Sequence, residues 1–419
     1  MTLLKTVKAS DFQPDAAPRP LDEATLAAAD SIVSGVRDGG RKTLIEYAKK
    51  FDGHVDGQPL LIERDALEAA KVRLDSEDLA LLERVAERVR KFAQAQLDAL
   101  SELEIEVPGG KAGHSIVPVQ RAGCYAPAGR YALPSTVIMT VVPAVVAGCG
   151  QVVLATPGTS DLMLAAAAVA GADRVLAVGG AQAVAAMAYG FDGLERCDVI
   201  VGPGNRWVTA AKKIVSGDCG IDMLAGPSEL VLVADESSDP ATVAADLLAQ
   251  AEHDEDARAF LVTTDRDLIQ KVIVELEQQL EVLPTAETAR VALGNGAAVL
   301  CDSVEQVIAT CNALAPEHLE LHCNDSQAVA NEIVNAGCLF IGHQSAEVFG
   351  DYGVGPNHTL PTAGTARFSA GLNVFTFVRV RTWLKLDAAP QSLVDDTARL
   401  AELEGLIGHQ RSALRRKKS

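Results

Sequence analysis

Aromatic side chains are scarce in this chain. Two Trp, five Tyr and ten Phe amount to 4% of 419 residues, so Ala, Val and Leu must build the core. Positive charge is also in deficit. Thirty-seven Lys and Arg face 56 Asp and Glu, for a net charge of −19, which argues against nucleic acid and anionic membrane surfaces as partners. The basic end Arg415-Arg416-Lys417-Lys418 is a local exception and reads as a short solvated tail. No apolar run reaches the ~18 residues that a membrane helix needs; stretches 162–172 and 137–149 are short, and Pro143 breaks the second. Residues 1–10 lack the apolar centre of a signal peptide, so the expected location is cytoplasmic. The eight cysteines (124, 149, 197, 219, 301, 311, 323 and 338) form no Cys-x-x-Cys pair. Most sit in or beside apolar runs and read as small core hydrophobes.

What is present is a long, well-buried globular chain. Hydrophobic residues make up 48%, mean hydropathy is +0.15, and the length suits about two to three domains. Residues 22–106 read as helix-rich, with a longer helix from Ser76 through Leu100 on which Leu79, Leu82, Val85, Val89 and Phe92 form one buried face. From Gly123 the pattern changes to short β-branched runs (152–155, 174–178, 198–201, 230–234) alternating with Ala-rich helices (161–170, 181–189, 207–216). That alternation predicts a parallel sheet covered on both faces. Two loops, Gly179-Gly180-Ala181-Gln182 and Gly202-Pro203-Gly204-Asn205, fall at strand ends, where ligands meet helix N-termini. Neither is the Gly-x-Gly-x-x-Gly fingerprint; Trp207 stands where the third glycine would be. Nucleotide binding and plain tight turns both remain open for them. A second alternating stretch follows, with a helix started by Asp239-Pro240, strands at 260–263 and 298–301, and another beginning at 339. The expected fold class is α/β, with two Rossmann-like parallel-sheet domains, a helical N-terminal segment and a C-terminal helical arm.

Polar residues cluster at four places in this apolar chain. In Ala315-Pro316-Glu317-His318-Leu319-Glu320 a carboxylate and an imidazole are adjacent at an expected helix-to-loop junction, either the pairing a two-step acid–base enzyme needs or part of a solvated loop. Gln250 and His253 are one turn apart on a helix, either as ligands to a metal or as a polar helix end. Residues 350–358 hold three glycines and a proline beside Asp351 and His358, which excludes regular helix or strand and suits a site loop more than a spacer. Glu404 and His409, near two glycines on the terminal arm, suggest either a site completed by docking or a frayed helix.

Taken together, these segments resemble histidinol dehydrogenases, over nearly the whole chain. The resemblance is carried by Gly123-Cys124-Tyr125-Ala126-Pro127, Leu133-Pro134-Ser135-Thr136, Val201-Gly202-Pro203-Gly204-Asn205, Gly226-Pro227-Ser228-Glu229 and Gln250-Ala251-Glu252-His253. It continues through Ala315-Pro316-Glu317-His318-Leu319-Glu320, Gly355-Pro356-Asn357-His358-Thr359-Leu360-Pro361-Thr362 and Glu404-Gly405-Leu406 with His409. Departures occur at Val378–Thr382 (residues 378–382), Leu224, Ala128 and the short loop between Gly190 and Cys197.

The resemblance implies a zinc- and NAD-dependent enzyme that oxidises L-histidinol through histidinaldehyde to L-histidine. It implies one zinc per subunit, held by Gln250, His253, Asp351 and the partner subunit's His409. Glu317 and His318 would be the proton-transfer pair. Ser135, Ser228, His358 and Glu404 would contact substrate together with His318 and the zinc ligands, and Tyr125, Gln182 and Asn205 would contact NAD. The implied layout is a homodimer whose segment 1–122 opens the larger α/β domain, with the smaller one at 123–228. The larger domain resumes over 229–386, and an arm at 387–419 reaches the partner. A paralogous zinc- and NAD-dependent dehydrogenase of another small polar alcohol is the alternative.

Overall fold

The computed structural model describes residues 3–13, 21–128 and 132–416, so Lys417 and Lys418 of the basic tail lie outside the described residues. Two six-stranded sheets organise the chain. The first is wholly parallel, in the order Lys5–Lys8, Ala297–Leu300, Arg258–Thr263, Glu229–Ala234, His318–His322, Cys338–Ile341. After the edge strand 5–8, the chain re-enters this sheet at the central strand 229–234, whose six residues are all buried, as a strand covered on both faces must be. It steps outward to 258–263 and 297–300, then returns to pair 318–322 on the other side. Because strands 229–234 and 258–263 are parallel, the connecting helix Pro240–Ala251 runs antiparallel to them. Its C-terminal end therefore lies beside the strands' N-terminal ends. Asp239 accepts from Thr242 N–H at that helix's start, with proline at the first position.

The second sheet has the order Leu61–Glu63, Arg174–Leu176, Gln151–Ala155, Arg121–Tyr125, Val199–Val201, Gly220–Ile221, parallel except for its first pair. It starts from strand 121–125 in the same way, and the strand order reverses between 121–125 and 199–201. Ala-rich helices let the layers approach closely: Asp161–Ala170 buries Ala165, Ala166, Ala167, Ala168 and Ala170. Helix Glu23–Phe51 packs on Gly180–Tyr189 and Arg206–Val215, Arg64–Arg73 on Asp161–Ala170, and Ser76–Asp98 on Pro134–Val146. Most N-terminal helix therefore covers the second sheet, while strand 5–8 joins the first.

The last helix of the helix-rich stretch 22–106, Ser76–Asp98, ends close to the expected Leu100, and the stretch then turns extended. Leu103–Val107 is a strand of a three-stranded antiparallel sheet with Gly110–Pro118 and Val378–Leu386. Leu103, Ile105 and Val107 alternate there with glutamates, a two-residue period. Leu82 and Val89 are buried as expected, but Phe92 is exposed and lies against Gly355. The 315–320 segment is also not a helix-to-loop junction. Helix Val304–Leu314 stops at Ala315 (φ 49°), and the chain passes straight into the buried strand His318–His322. Beyond strand 378–386, helices Gln391–Leu403 and Ile407–Leu414 pack chiefly on each other, leaving Leu400, Leu403, Leu406 and Ile407 exposed.

One buried ion pair fixes the reversal point of the second sheet. Lys212 and Asp222 are paired with their side chains almost wholly buried. Lys212 Nζ also donates to Gly202 O (3.0 Å), and Asp222 accepts from Gly202 N–H (2.7 Å). Gly202 has φ 117°, and a Cβ there would stand 2.1 Å from Tyr125 O. The loop thus crosses the tip of strand 121–125 with no room for a side chain. Lys212→Met should leave Asp222 buried and unpaired, lowering stability by about 3–5 kcal/mol. Urea unfolding read by far-UV circular dichroism checks this, and an unchanged midpoint would count against it.

Candidate active site

The N-terminal ends of strands 229–234 and 318–322 lie side by side, with Leu230 opposite His318. The loop entering the first strand therefore meets Glu317, which precedes the second. Glu317 Oε2 accepts from Ser228 Oγ (2.7 Å) and from Glu229 N–H (3.0 Å). Helix 240–251 returns Gln250 to the same place, where its Oε1 accepts from Ser228 Oγ (3.4 Å). His253 follows one turn later, with Nε2 3.6 Å from Asp351 Oδ2. Asp351 ends the short helix Glu347–Asp351, and its Oδ1 is 3.9 Å from His318 Nε2. His318 Nδ1 is 3.7 Å from both Glu317 Oε2 and Glu347 Oε1. His358 closes another side through Asp351 O (3.0 Å) and Thr136 Oγ1 (3.4 Å). Thr136 lies in the first turn of helix Pro134–Val146, beside Ser135, so the second unit contributes a wall.

Burial dominates the electrostatics. It pushes the Glu317 carboxyl up to about 8, against the Ser228 and Glu229 hydrogen bonds that favour the anion. It pulls His318 down to about 4, with Asp351 opposing. Glu347 is also held well above the ordinary carboxylate range by burial and then by Asp351. At neutral pH the His318 ring is thus a neutral acceptor, and the Glu317 carboxyl is held largely in its protonated form.

Several groups here have no partner inside the chain. Both nitrogens of His318, Nε2 of Gln250 and Oε2 of Glu347 are buried without a hydrogen bond among the described residues. Natural structures rarely leave buried polar atoms this way unless a ligand completes them. His253, Glu347 and Asp351 each bring a ligand-type atom to within 4.8 Å of the others. One imidazole and two carboxylates suit a zinc ion, and His253 is 40% exposed, so the centre is open on one side. The residue set fits the metal. Glu347 is the residue that sequence reasoning missed; its signal was an acid four residues before Asp351, on the same helix face.

A cleft of about 670 Å³ lies in the second unit, where its strand order reverses. Tyr125, Gln182, Asn205, Trp207, Phe51 and Asp52 are among its lining residues. The Tyr125 hydroxyl accepts from Gly180 N–H (3.0 Å), and Gln182 Nε2 donates to Asp52 (3.0 Å). Asn205 caps helix 206–215, accepting from Trp207 N–H (3.1 Å) and Val208 N–H (3.3 Å). A helix N-terminus and glycine-bearing loops at such a point suit a dinucleotide.

A family model described as histidinol dehydrogenase matches residues 18–417. The chain belongs to the histidinol dehydrogenase family. A histidinol dehydrogenase of Pseudomonas savastanoi is 42% identical over 391 residues, covering 91% of this chain and 87% of that one. One from Methylococcus capsulatus is 43% identical over 392 residues, covering 91% and 89%. Among solved structures, the Elizabethkingia anophelis histidinol dehydrogenase superposes with a TM-score of 0.91 at 33% identity, covering 99% and 98%.

For a histidinol dehydrogenase chain, the placement of the named residues divides cleanly. Ser228, Gln250, His253, Glu317, His318, Asp351 and His358 converge, with Ser135 next to Thr136 at their edge. Glu404 and His409 do not join them. They lie exposed on the arm, and their side chains make no hydrogen bond or ion pair within the described residues. The convergence of Glu347 on His253 and Asp351 yields a prediction. Glu347→Gln should weaken Zn2+ binding by about 10- to 100-fold, read by competition with a chromophoric chelator. Unchanged affinity would exclude Glu347 from the metal's surroundings.

Proposed function

We propose that this chain oxidises L-histidinol twice, through L-histidinaldehyde to L-histidine, with NAD as acceptor and one zinc per subunit. Its place in the family supports a histidinol-oxidising enzyme. The observation that carries the finer reading is the buried Glu317–His318 pair beside unpartnered groups suited to a metal. Gln250, His253 and Asp351, with the partner subunit's His409, would hold the zinc, while Tyr125, Gln182 and Asn205 would contact the dinucleotide. When bound, zinc would orient the substrate's imidazole and amine, and NAD would take up one hydride per oxidation.

The chain's own residues handle protons and position. An alcohol releases hydride only as its hydroxyl proton leaves, and neutral His318 is the acceptor for that proton. The aldehyde must then gain water before a second hydride can depart. Glu317, which accepts from Ser228 Oγ and the Glu229 N–H, would take the water's proton. His318 then accepts the hydroxyl proton of the hydrated aldehyde, and the acid is left. Ser135, Ser228, His358 and Glu404 are the further substrate contacts in this reading. Helix Ile407–Leu414, with His409 exposed and apolar neighbours uncovered, suits an arm docked on a second copy. No helix among the described residues is long and apolar enough to cross a membrane; the proposed location is cytoplasmic.

The direct test is stoichiometry: two NADH per L-histidinol, with L-histidine as product. Turnover confined to another alcohol would instead make this a paralogue. The pH dependence separates the two steps. A base must be unprotonated to act. Glu317, raised to about 8, is fully active only above that pH, whereas His318, lowered to about 4, is active throughout the neutral range. Oxidation of supplied histidinaldehyde should therefore rise through pH 8 while the alcohol step stays flat from about pH 6 to 9. Glu317→Gln should slow the aldehyde step by about 10²- to 10⁴-fold and abolish that rise, while His318→Asn slows both steps. Parental aldehyde oxidation by Glu317→Gln would remove the water-activating role.

The arm makes a separate prediction. It spans about 30 residues, and a helix advances ~1.5 Å per residue, so it has the length to reach a second chain. Subunits carrying His409→Asn and subunits carrying His253→Asn should each be inactive alone. After exchange in a two-fold dimer, about a quarter of all sites should be intact and activity should return. No recovery after verified exchange would show that the arm serves its own chain or lies outside the site.

A further inference from the structure

Farther along strand 318–322 lies a second convergence of ligand-type atoms. Side chains two apart on a strand share a face, so His318, Glu320 and His322 point the same way, toward helices 240–251 and 347–351. On helix 240–251, Asp246 sits one turn before Gln250 and on the same face. His322 Nε2 is 3.8 Å from Asp246 Oδ2 and 3.7 Å from Glu320 Oε2, and the three groups offer ligand atoms within 4.8 Å of one another. Glu320 and His322 are 0% and 1% exposed, yet Glu320 Oε2, His322 Nε2 and Asp246 Oδ2 have no hydrogen-bond partner among the described residues. The other oxygen of Glu320 accepts from Glu347 N–H, so its carboxylate is held in place. Among the described residues neither carboxylate has a Lys or Arg partner.

We infer that Asp246, Glu320 and His322 form a second cation site, taking a divalent ion of the Zn2+ or Mn2+ class, separate from the His253–Asp351 centre. Ligands around a tetrahedral ion with bonds near 2.1 Å stand about 3.4 Å apart, and the two separations from His322 Nε2, 3.7 and 3.8 Å, lie a few tenths of an ångström above that. An imidazole with two carboxylates selects ions of intermediate hardness over Ca2+. The Asp246 side chain is 13% exposed, which leaves a route for the ion and a position for water. Burial alone lifts Asp246 to about 6 and is the largest cause of the rise of Glu320 to about 8, as it must for carboxylates lacking a positive neighbour. The ion would tie strand 318–322, which carries His318, to the helix that carries Gln250. Asp246, Glu320 and His322 are positioning residues in this account, since none touches the reacting atoms.

Mn2+ titration of chelator-stripped full-length protein, with free Mn2+ read by electron paramagnetic resonance, tests the site directly. The His253→Asn variant, in which the first centre is disabled, should still take up one equivalent per chain. Adding Asp246→Asn or His322→Gln to that variant should abolish the uptake while far-UV circular dichroism stays unchanged. Asp246→Asn is nearly isosteric at a partly exposed position, so it keeps the test valid if His322→Gln fails to fold. Absence of saturable uptake by folded His253→Asn protein would overturn the inference. So would one equivalent retained when Asp246→Asn is added.

Discussion

Strand His318–His322 carries three ionisable side chains on one face, and all three are buried. Removing such groups from water is expensive unless they are paired or neutral. Much of the surrounding architecture answers that demand. Helix 240–251 presents Asp246 and Gln250 to the strand, helix 347–351 presents Glu347 and Asp351, and the loop before strand 229–234 supplies the Ser228 hydroxyl and the Glu229 N–H. Even so, nitrogens of His318 and His322 have no hydrogen-bond partner among the described residues. The strand's other face is ordinary core, where Leu319 and Leu321 pack with Val231, Val233 and Phe260. One strand thus joins an apolar layer that holds the sheet to a polar layer that awaits ligands.

The same chain geometry places two kinds of site at opposite ends of its two sheets. In the second unit the cleft lies past the C-terminal ends of strands 121–125 and 199–201, the customary place for a ligand in such sheets. In the first unit the cluster gathers at the N-terminal ends of strands 229–234 and 318–322. Antiparallel return of helix 240–251 makes this possible, because its last turn arrives there with Gln250 and His253. Contacts between the units sit at this end too: Asn357 Nδ2 donates to Met139 O (2.6 Å), and Arg88 Nε donates to Gly353 O (2.8 Å).

Much of this was legible in the sequence where periodicity and capping agree. Helix 161–170 and strands 152–155 and 230–234 follow from β-branched runs and Ala-rich stretches, and Asp239-Pro240 marks a helix start correctly. Glu317–His318 stood out chemically but was misplaced structurally. His-Leu-Glu-Leu-His alternates with a strand's period, yet its polar residues face inward, which inverts the usual sense of that pattern. The groups that meet those residues, Asp246 and Glu347, arrive on helices far away in sequence, and such convergence is invisible locally. Glu347 was missed for the same reason: its value depends on His253 and His318 arriving from other elements. Strands 103–107 and 378–386 pair across 110–118 although they are far apart in the chain, so no local window brings them together.

The arm remains the part least explained by a single chain. Its helices pack on each other, its leucines are uncovered, and Glu404 and His409 find no side-chain partner within the described residues, while the cluster is open at His253. The most direct test is anomalous diffraction at the zinc edge from crystals of zinc-replete protein. The account predicts a peak among Gln250, His253 and Asp351 of one chain, closed by the partner subunit's His409. A peak elsewhere with that cluster vacant, or a centre closed by the same chain's His409, would contradict it.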